Sequence, residues 1–347
     1  MLNYDDHEAM SNGKAAKWPK KYHIVTNKAS YETMKAFVLG NYMHAHFLHV
    51  ADLPAAGESL MARRVFAEHG GKGLNLALGL HRLGIEVALL MAVGSDASGA
   101  AVRLMLEREG LCTGGIVEIG EQSGFGVGFI TPDGGNCLAG HLGANAILAA
   151  EHVAAMGAEI KKAGWVLATF ELADGPIRAA FARARMAGAA TYLNPSPWRV
   201  IDPALLALTD VVVVNECEAR QLFGLPESTR SFYWARWLTE AASRIPWHGR
   251  LLVVTLGEHG CIALAGNETI FVPAFPVLQV DATGAGDAFG AGLVSSLMQG
   301  TELREALAFG NACGAMVAAR EGTWAQLPTP AAVAAFRAAH GMASSSR

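Results

Sequence analysis

Short runs rich in branched apolar residues alternate with alanine-rich amphipathic stretches along nearly the whole chain: AFVLG, LNLALGLHRLG, VALLMAV, AAVRLMLEREG, WVLATF, IRAAFARARMAG, TYLN, VVVVN and LLVVTLG. Strands joined through helical crossovers run parallel, and helices that connect them cover the sheet. The alternation therefore predicts an α/β fold of three layers, with a mainly parallel central sheet flanked by helices on both faces. In open sheets of this kind ligands gather outside the carboxyl ends of the strands. Polar residues stand at those ends: Asn41 after VLG, Glu171 after TF, Asn194 after TYL, Asn215 after VVVV and Thr255 after LLVV.

Two segments break the pattern, 44–69 and 122–141. The second contains FGVGFITPDGGNCLAG, which reads as a hairpin turning at Pro132-Asp133-Gly134-Gly135. The two are expected to pair as a small β-sheet lid that excludes water from the strand-end crevice. Residues 1–35 are polar and lysine-containing without periodicity, and read as a mobile N-terminal extension. A single domain then covers 36–340, and 341–347 is a loose tail.

With 347 residues, 52% of them apolar, the chain supports a full core. A formal net charge of -4 with 17% charged residues leaves no electrostatic footprint for nucleic acid or an anionic membrane. No apolar run is long enough to cross a bilayer, and the first residues lack a signal peptide's hydrophobic core. Cys112, Cys137, Cys217, Cys261 and Cys313 show no C-x-x-C spacing, which suits free thiols in a reducing compartment. The expectation is a cytoplasmic protein with small-molecule partners.

The run Asp281-Ala-Thr283-Gly284-Ala285-Gly286-Asp287-Ala-Phe-Gly290-Ala-Gly292 leads into an apolar helix. Free N–H groups of that first turn, exposed by small residues, and the helix dipole converge on an anion. Asp287 at the helix mouth is expected to be ionised, and can take the proton of a hydroxyl attacking phosphorus. The chemistry indicated is phosphoryl transfer to an alcohol. Two other readings fit parts of the run. A dinucleotide fingerprint needs G-x-G-x-x-G, and Gly290 comes one residue too late for it. Close helix packing accounts for Gly290 and Gly292 and leaves Asp287 unexplained.

Gly70-Gly71-Lys72-Gly73-Leu-Asn75 opens another helix, and its glycines are expected to let the main chain approach a ligand. Further along stand Asn145 in GAN, Glu171, Asn194-Pro195 with Pro197, and Asn215-Glu216-Cys217-Glu218, each of which alone also suits a cap or a turn. In this order, GGKG-x-N, NPSP, N-x-x-E, TLG-x-x-G and DATGAGD resemble the PfkB/ribokinase family of carbohydrate kinases, near its ribokinase branch, from about Ala36 to Pro330.

The resemblance implies a Rossmann-like (ribokinase-like) fold and an ATP-dependent kinase that phosphorylates a hydroxyl of a sugar or sugar derivative. A nucleoside kinase and a non-catalytic sugar sensor are the alternatives. It implies Asp287 as catalytic base, and Gly284, Ala285 and Gly286 as an anion hole for the transferring phosphoryl group, which needs positioning and electrostatic stabilisation above all. Asn215 matches a nucleotide-binding position, and Glu218 the carboxylate that places Mg²⁺ through water. Glu216 stands beside it with the same chemistry, and strand-end geometry does not choose between them. Thr255, Gly257, Gly260 and Asn311 match nucleotide positions. Asp281, Thr283, Val317, Arg320, Gly322 and Gln326 match a monovalent cation site, for which K⁺ is the expectation. A homodimer through the lid is a further implication.

On the acceptor side Gly71, Lys72, Gly73, Asn75 and Glu171 match sugar-contacting positions. The first strand departs from the family, which carries an Asn and an Asp that grip sugar hydroxyls where this chain has Met43 and Ala45. Alternation puts Asn41, Met43 and Ala45 on one face, so no local carboxylate is expected to substitute. Losing a charge-assisted hydrogen bond costs on the order of 1.5–3 kcal/mol, more than tenfold in affinity, which argues against ordinary ribose. Another sugar, a derivative or a nucleoside is expected instead, with Met43, Phe125 and Phe129 in apolar contact. His44 and His46 share a strand face near His49, a spacing that suits a metal and equally a structural role.

Overall fold

The computed structural model describes residues 34–132, 136–226, 234–243 and 249–341, with 245 and 247 besides. Most of the expected N-terminal extension, the tail after 341 and the turn residues 133–135 lie outside the described residues. In chain order the strands are β1 (Lys35–Leu39), β2 (Met43–His49), β3 (Arg64–Gly70), β4 (Glu86–Val93), β5 (Ile116–Glu118), β6 (Phe125–Ile130), β7 (Asn136–His141), β8 (Trp165–Thr169), β9 (Ala190–Asn194), β10 (Val211–Asn215), β11 (Leu251–Thr255), β12 (Cys261–Ala265) and β13 (Glu268–Val272). Lys35, the last residue of the expected extension, already belongs to the fold: its Nζ meets Glu86 and Glu159 carboxylates, each at 2.7 Å.

The main sheet runs β13-β12-β11-β10-β9-β8-β1-β4-β5. Every pairing from β11 to β5 is parallel, and β12 and β13 close one edge as antiparallel strands. Alternate residues of one strand feed two separate cores. Val211, Val213, Leu251 and Val253 join the cluster beneath the helices Lys72–Arg82, Ala285–Met298 and Leu303–Ala318. Val212, Val214, Leu252 and Val254 join the cluster beneath the helix Asp174–Ala187. Burial on both faces explains the unbroken apolar runs, and each such side chain contributes about 1.5–3 kcal/mol.

Close helix packing does account for two of the late glycines. A Cβ on Gly292 would sit 2.8 Å from Cys313 Sγ and 3.0 Å from Gly310 Cα of the neighbouring helix, and one on Gly290 would collide with the Tyr192 hydroxyl.

A second sheet, ordered β3-β2-β6-β7, draws its strands from the two segments that break the sequence pattern. Its register sorts the side chains. Ala45 opposes Glu68 and Gly126, and Phe47 opposes Phe66 and Gly128, on one face. His44, His46 and Leu48 lie on the other, with Phe125, Val127 and Phe129. The first face turns toward the main sheet's loops: Glu68 Oε2 accepts the Thr323 N–H at 3.0 Å, and Arg64 holds Glu321 with two bonds of 2.8 and 2.9 Å.

Candidate active site

Three elements start at one end of the main sheet. The helix Lys72–Arg82 begins after Gly71, whose φ of 109° excludes most side chains, and the helix Ala285–Met298 begins after Gly284, left-handed at φ 75°. Glu171 follows β8. Two bonds draw these elements together: Glu171 Oε2 accepts the Lys72 main-chain N–H at 2.6 Å, and Asp287 Oδ2 accepts from Asn75 Nδ2 at 2.9 Å.

Asp287 is buried directly behind exposed Gly286. Burial pushes its carboxyl above the ordinary aspartate value, while the nearby Lys72 ammonium and the Asn75 amide oppose the rise. The sequence favours a fully ionised group at the helix mouth; desolvation outweighs the local cation and points the other way. Lys72 is raised, chiefly by Asp287, with Glu171 and Glu218 adding to the effect against its own burial. Glu171 is raised by burial, with Lys72 opposing. Lys72, Asp287, Glu171 and Glu218 therefore share one electrostatic neighbourhood.

At the helix start the N–H groups of Gly284, Gly286 and Asp287 find no acceptor among the described residues, whereas Ala285 N–H is taken by Ala282 O at 3.2 Å. A Cβ on Gly286 would meet nothing within 4 Å, so open space lies over those amides. Gly71 and Gly73 differ: a Cβ on Gly71 would lie 2.6 Å from Asn41 O, and one on Gly73 would collide with Gly40. Those glycines admit another stretch of the protein's own backbone.

Asn41 is not on a strand face with Met43 and Ala45. It lies in the crossover between β1 and β2, fully buried, and its Oδ1 accepts the Gly73 N–H at 2.9 Å. Met43 sits beside Asn145, whose amide bonds to Tyr42 N, Tyr42 O and Leu142 O and fixes the small sheet's root. Phe125 and Phe129 point away from the Ala45 face, because their register partners are His44 and Leu48. Phe47 and Phe66, stacked at 4.8 Å, are the inward aromatics. The expectation that no carboxylate stands near position 45 also fails. Glu68 is its direct cross-strand partner, placed by a register that spacing within one strand cannot reveal.

Asn215 and Glu218 form a reciprocal cap on the helix Glu216–Phe223, at 2.8 and 2.9 Å. Glu216 turns away to Arg220 and Trp234, whereas Glu218 is buried toward Lys72 and Tyr192. Thr255 ends β11, and Gly257 and Gly260 follow with φ of 56° and 103°. Asn311 lies under the same loops, its amide donating to Val272 O and Pro273 O.

Asp281 ties two loops together, Oδ1 accepting from Thr283 N at 2.9 Å and Oδ2 from Gly322 N at 3.4 Å. Val317 is buried with its carbonyl bonded to Arg320 N, Arg320 is exposed, and Gln326 donates to Glu321 O. The His44 and His46 rings lie 4.4 Å apart, tilted by 54°, while His49 faces Glu321 from the opposite side. Among the described residues no group of three His, Cys, Asp or Glu side chains could hold a metal ion.

The chain is 29% identical to a ribokinase of Haemophilus influenzae over 294 residues, covering 84% of this chain and 94% of that one. It is 30% identical to fructokinase-1 of Oryza sativa subsp. japonica over 299 residues, 79% of this chain and 90% of that one. The fold is similar to Arabidopsis thaliana ribokinase complexed with ribose and ATP, with a TM-score of 0.80 at 23% identity over 88% of this chain and 98% of that one. The model of the pfkB family carbohydrate kinases matches residues 35–330, and the chain belongs to that family.

Proposed function

We propose that the protein transfers the γ-phosphoryl group of ATP to a hydroxyl of a sugar or sugar derivative. One observation carries the reading: a buried carboxylate, Asp287, stands directly behind free main-chain N–H groups and open space, with a lysine beside it. Asp287 takes the proton of the attacking hydroxyl, its raised pKa bringing it nearer the proton it must accept. The amides of the 284–287 turn, Ala285 among them only if its weak turn bond yields, stabilise charge on the transferring oxygens. Lys72, Asn75 and Glu171 hold the acceptor, and Asn41 supports the Gly71–Gly73 turn. Asn215, Thr255, Gly257, Gly260 and Asn311 frame the ATP site.

Glu218 offers a hard oxygen at the edge of this neighbourhood, which fits Mg²⁺ held partly through water. When bound, the ion screens phosphate charge. Asp281, Thr283 and Gly322 meet at the joined loops and, with Val317, Arg320 and Gln326 nearby, suit K⁺ through oxygen donors. The four-stranded sheet acts as the lid. Its outer face, with Val65 and Phe125 exposed, suits a second copy of this chain. Scattered cysteines and the absence, among the described residues, of a helix able to cross a membrane support a cytoplasmic setting.

ADP release measured with D-ribose, 2-deoxy-D-ribose, D-fructose and inosine, in the presence of Mg²⁺ and K⁺, tests the reading. A sugar-dependent rate is expected. Preference for inosine would make the protein a nucleoside kinase, and acceptor binding without ADP release from any of them would make it a sensor.

A further inference from the structure

The inner face of the lid carries mostly small or apolar residues near its root: Met43, Ala45, Gly70, Gly126 and, among them, Glu68. This carboxylate is half-buried, and Thr323 is the only described residue that donates to it. No lysine or arginine among the described residues pairs with it. Burial pushes its pKa up against the bonds from Thr323, and its charged neighbours Asp281 and Glu321 add to the rise. A carboxylate kept indoors beside two like charges, with most of its acceptor sites unused, destabilises the empty fold unless something else donates to it.

The surroundings also want a polar ligand. Asn75 Oδ1 is buried without a partner deeper in the site, and Thr323, whose main-chain N–H reaches Glu68, stands between the two. Thr323 lies against the helix start that holds Asp287: a Cβ on Gly284 would come 3.1 Å from its side chain and 3.7 Å from Asn75 Nδ2. Glu68 thus borders the space between the lid and the Asn75–Asp287 pair.

Building on the kinase reading above, we infer that Glu68 is a specificity residue that accepts a hydrogen bond from a hydroxyl of the acceptor. The substrate class is then a polyol sugar, or the sugar part of a nucleoside, with a free hydroxyl turned toward the lid and an apolar edge against Met43. The objection to ribose drawn from Ala45 loses its premise, because the carboxylate comes from the neighbouring strand.

Register supplies a demanding test. Directly opposed residues have Cβ atoms about 4.5–5.5 Å apart, so Ala45→Asp returns a carboxylate to nearly the same place. Steady-state kinetics would be measured for the wild type, Glu68→Ala, Glu68→Gln and the double variant Glu68→Ala/Ala45→Asp, with the best of D-ribose, 2-deoxy-D-ribose, D-fructose and inosine. Glu68→Ala should raise acceptor KM about tenfold or more and leave ATP KM and half-saturating K⁺ unchanged. The double variant should recover most of that loss, and Glu68→Gln should fall between.

An unchanged acceptor KM in Glu68→Ala with an active wild type overturns this inference alone. A shift confined to K⁺ dependence also overturns it, and makes Glu68 part of the cation site beside Asp281. Parallel losses for ATP and acceptor with a lowered Tm and no recovery reduce Glu68 to a strut for Thr323. A wild type inactive toward every acceptor removes the kinase reading and this inference with it.

Discussion

Asp287 is a carboxylate held out of water at the start of a helix, behind exposed Gly286, and burial sets the direction of its pKa. Asp287→Asn should keep ATP binding and lower turnover by about 10²–10⁴-fold, since it removes the proposed base and little volume. With Asp287 as base the free carboxylate is the active form, and because burial raises its pKa the acid limb of kcat/KM should lie above the ordinary aspartate value of 3.8. The Lys72 charge holds that limb down, so Lys72→Met should move it to higher pH, visible as a pH–rate profile displaced in the alkaline direction. A displacement toward acid would contradict the electrostatic assignment. The glycines make the complementary point. Gly286 and Gly73 look alike in sequence, yet only Gly286 faces open space. Gly286→Val should therefore leave Tm nearly unchanged while raising ATP KM and lowering kcat, whereas Gly73→Ala should destabilise the fold; thermal melts beside kinetics separate the two.

Elements were legible where one period dominates. Strands buried on both faces announce themselves as VVVV or LLVV, and two helix starts follow capping residues, Asp96 and Asn215, whose side chains accept from the first turn. The edge hairpin β12–β13 departs from the strand–helix alternation, since only the short 3₁₀ turn Gly257–His259 and the pair Gly266-Asn267 join its strands to β11 and to each other. The small sheet was visible as β but not its faces: Phe125 and Phe129 look like acceptor contacts until pairing with His44 and Leu48 turns them outward, and Glu68 goes unnoticed until pairing with Ala45 turns it inward. N-x-x-E carries two meanings in one element. Asn215 and Glu218 cap the helix, so Asn215→Ala should cost about 1 kcal/mol of stability. Glu218→Gln keeps a side chain able to complete the cap and deletes only the charge. Its Tm should therefore stay within about a degree of the wild type while the Mg²⁺ concentration for half-maximal rate rises; unchanged Mg²⁺ dependence would leave Glu218 a cap alone.

Across the whole molecule, the small sheet has to satisfy two unlike surfaces at once. Its inner face meets the loops that carry Glu321 and Thr323 through charged and main-chain bonds, and the exposed Arg64–Glu321 pair adds little stability in solvent. The outer face presents Val65, 65% exposed, and Phe125, 41% exposed, on a sheet whose edge strands β3 and β7 have no further partner among the described strands. Apolar side chains on an open-edged sheet are covered most economically by an identical sheet, since a two-fold contact uses the same patch twice. Sedimentation equilibrium should accordingly give twice the chain mass at micromolar concentration. Val65→Asp should return the mass to one chain. If a second copy braces the sheet over the proposed acceptor site, the same substitution should raise acceptor KM more than ATP KM, since the proposed ATP loops belong to the main sheet. A wild type that sediments as one chain at all concentrations would remove the second copy from the acceptor site and leave Arg64, Glu68 and the Asn145 root to hold the lid by themselves.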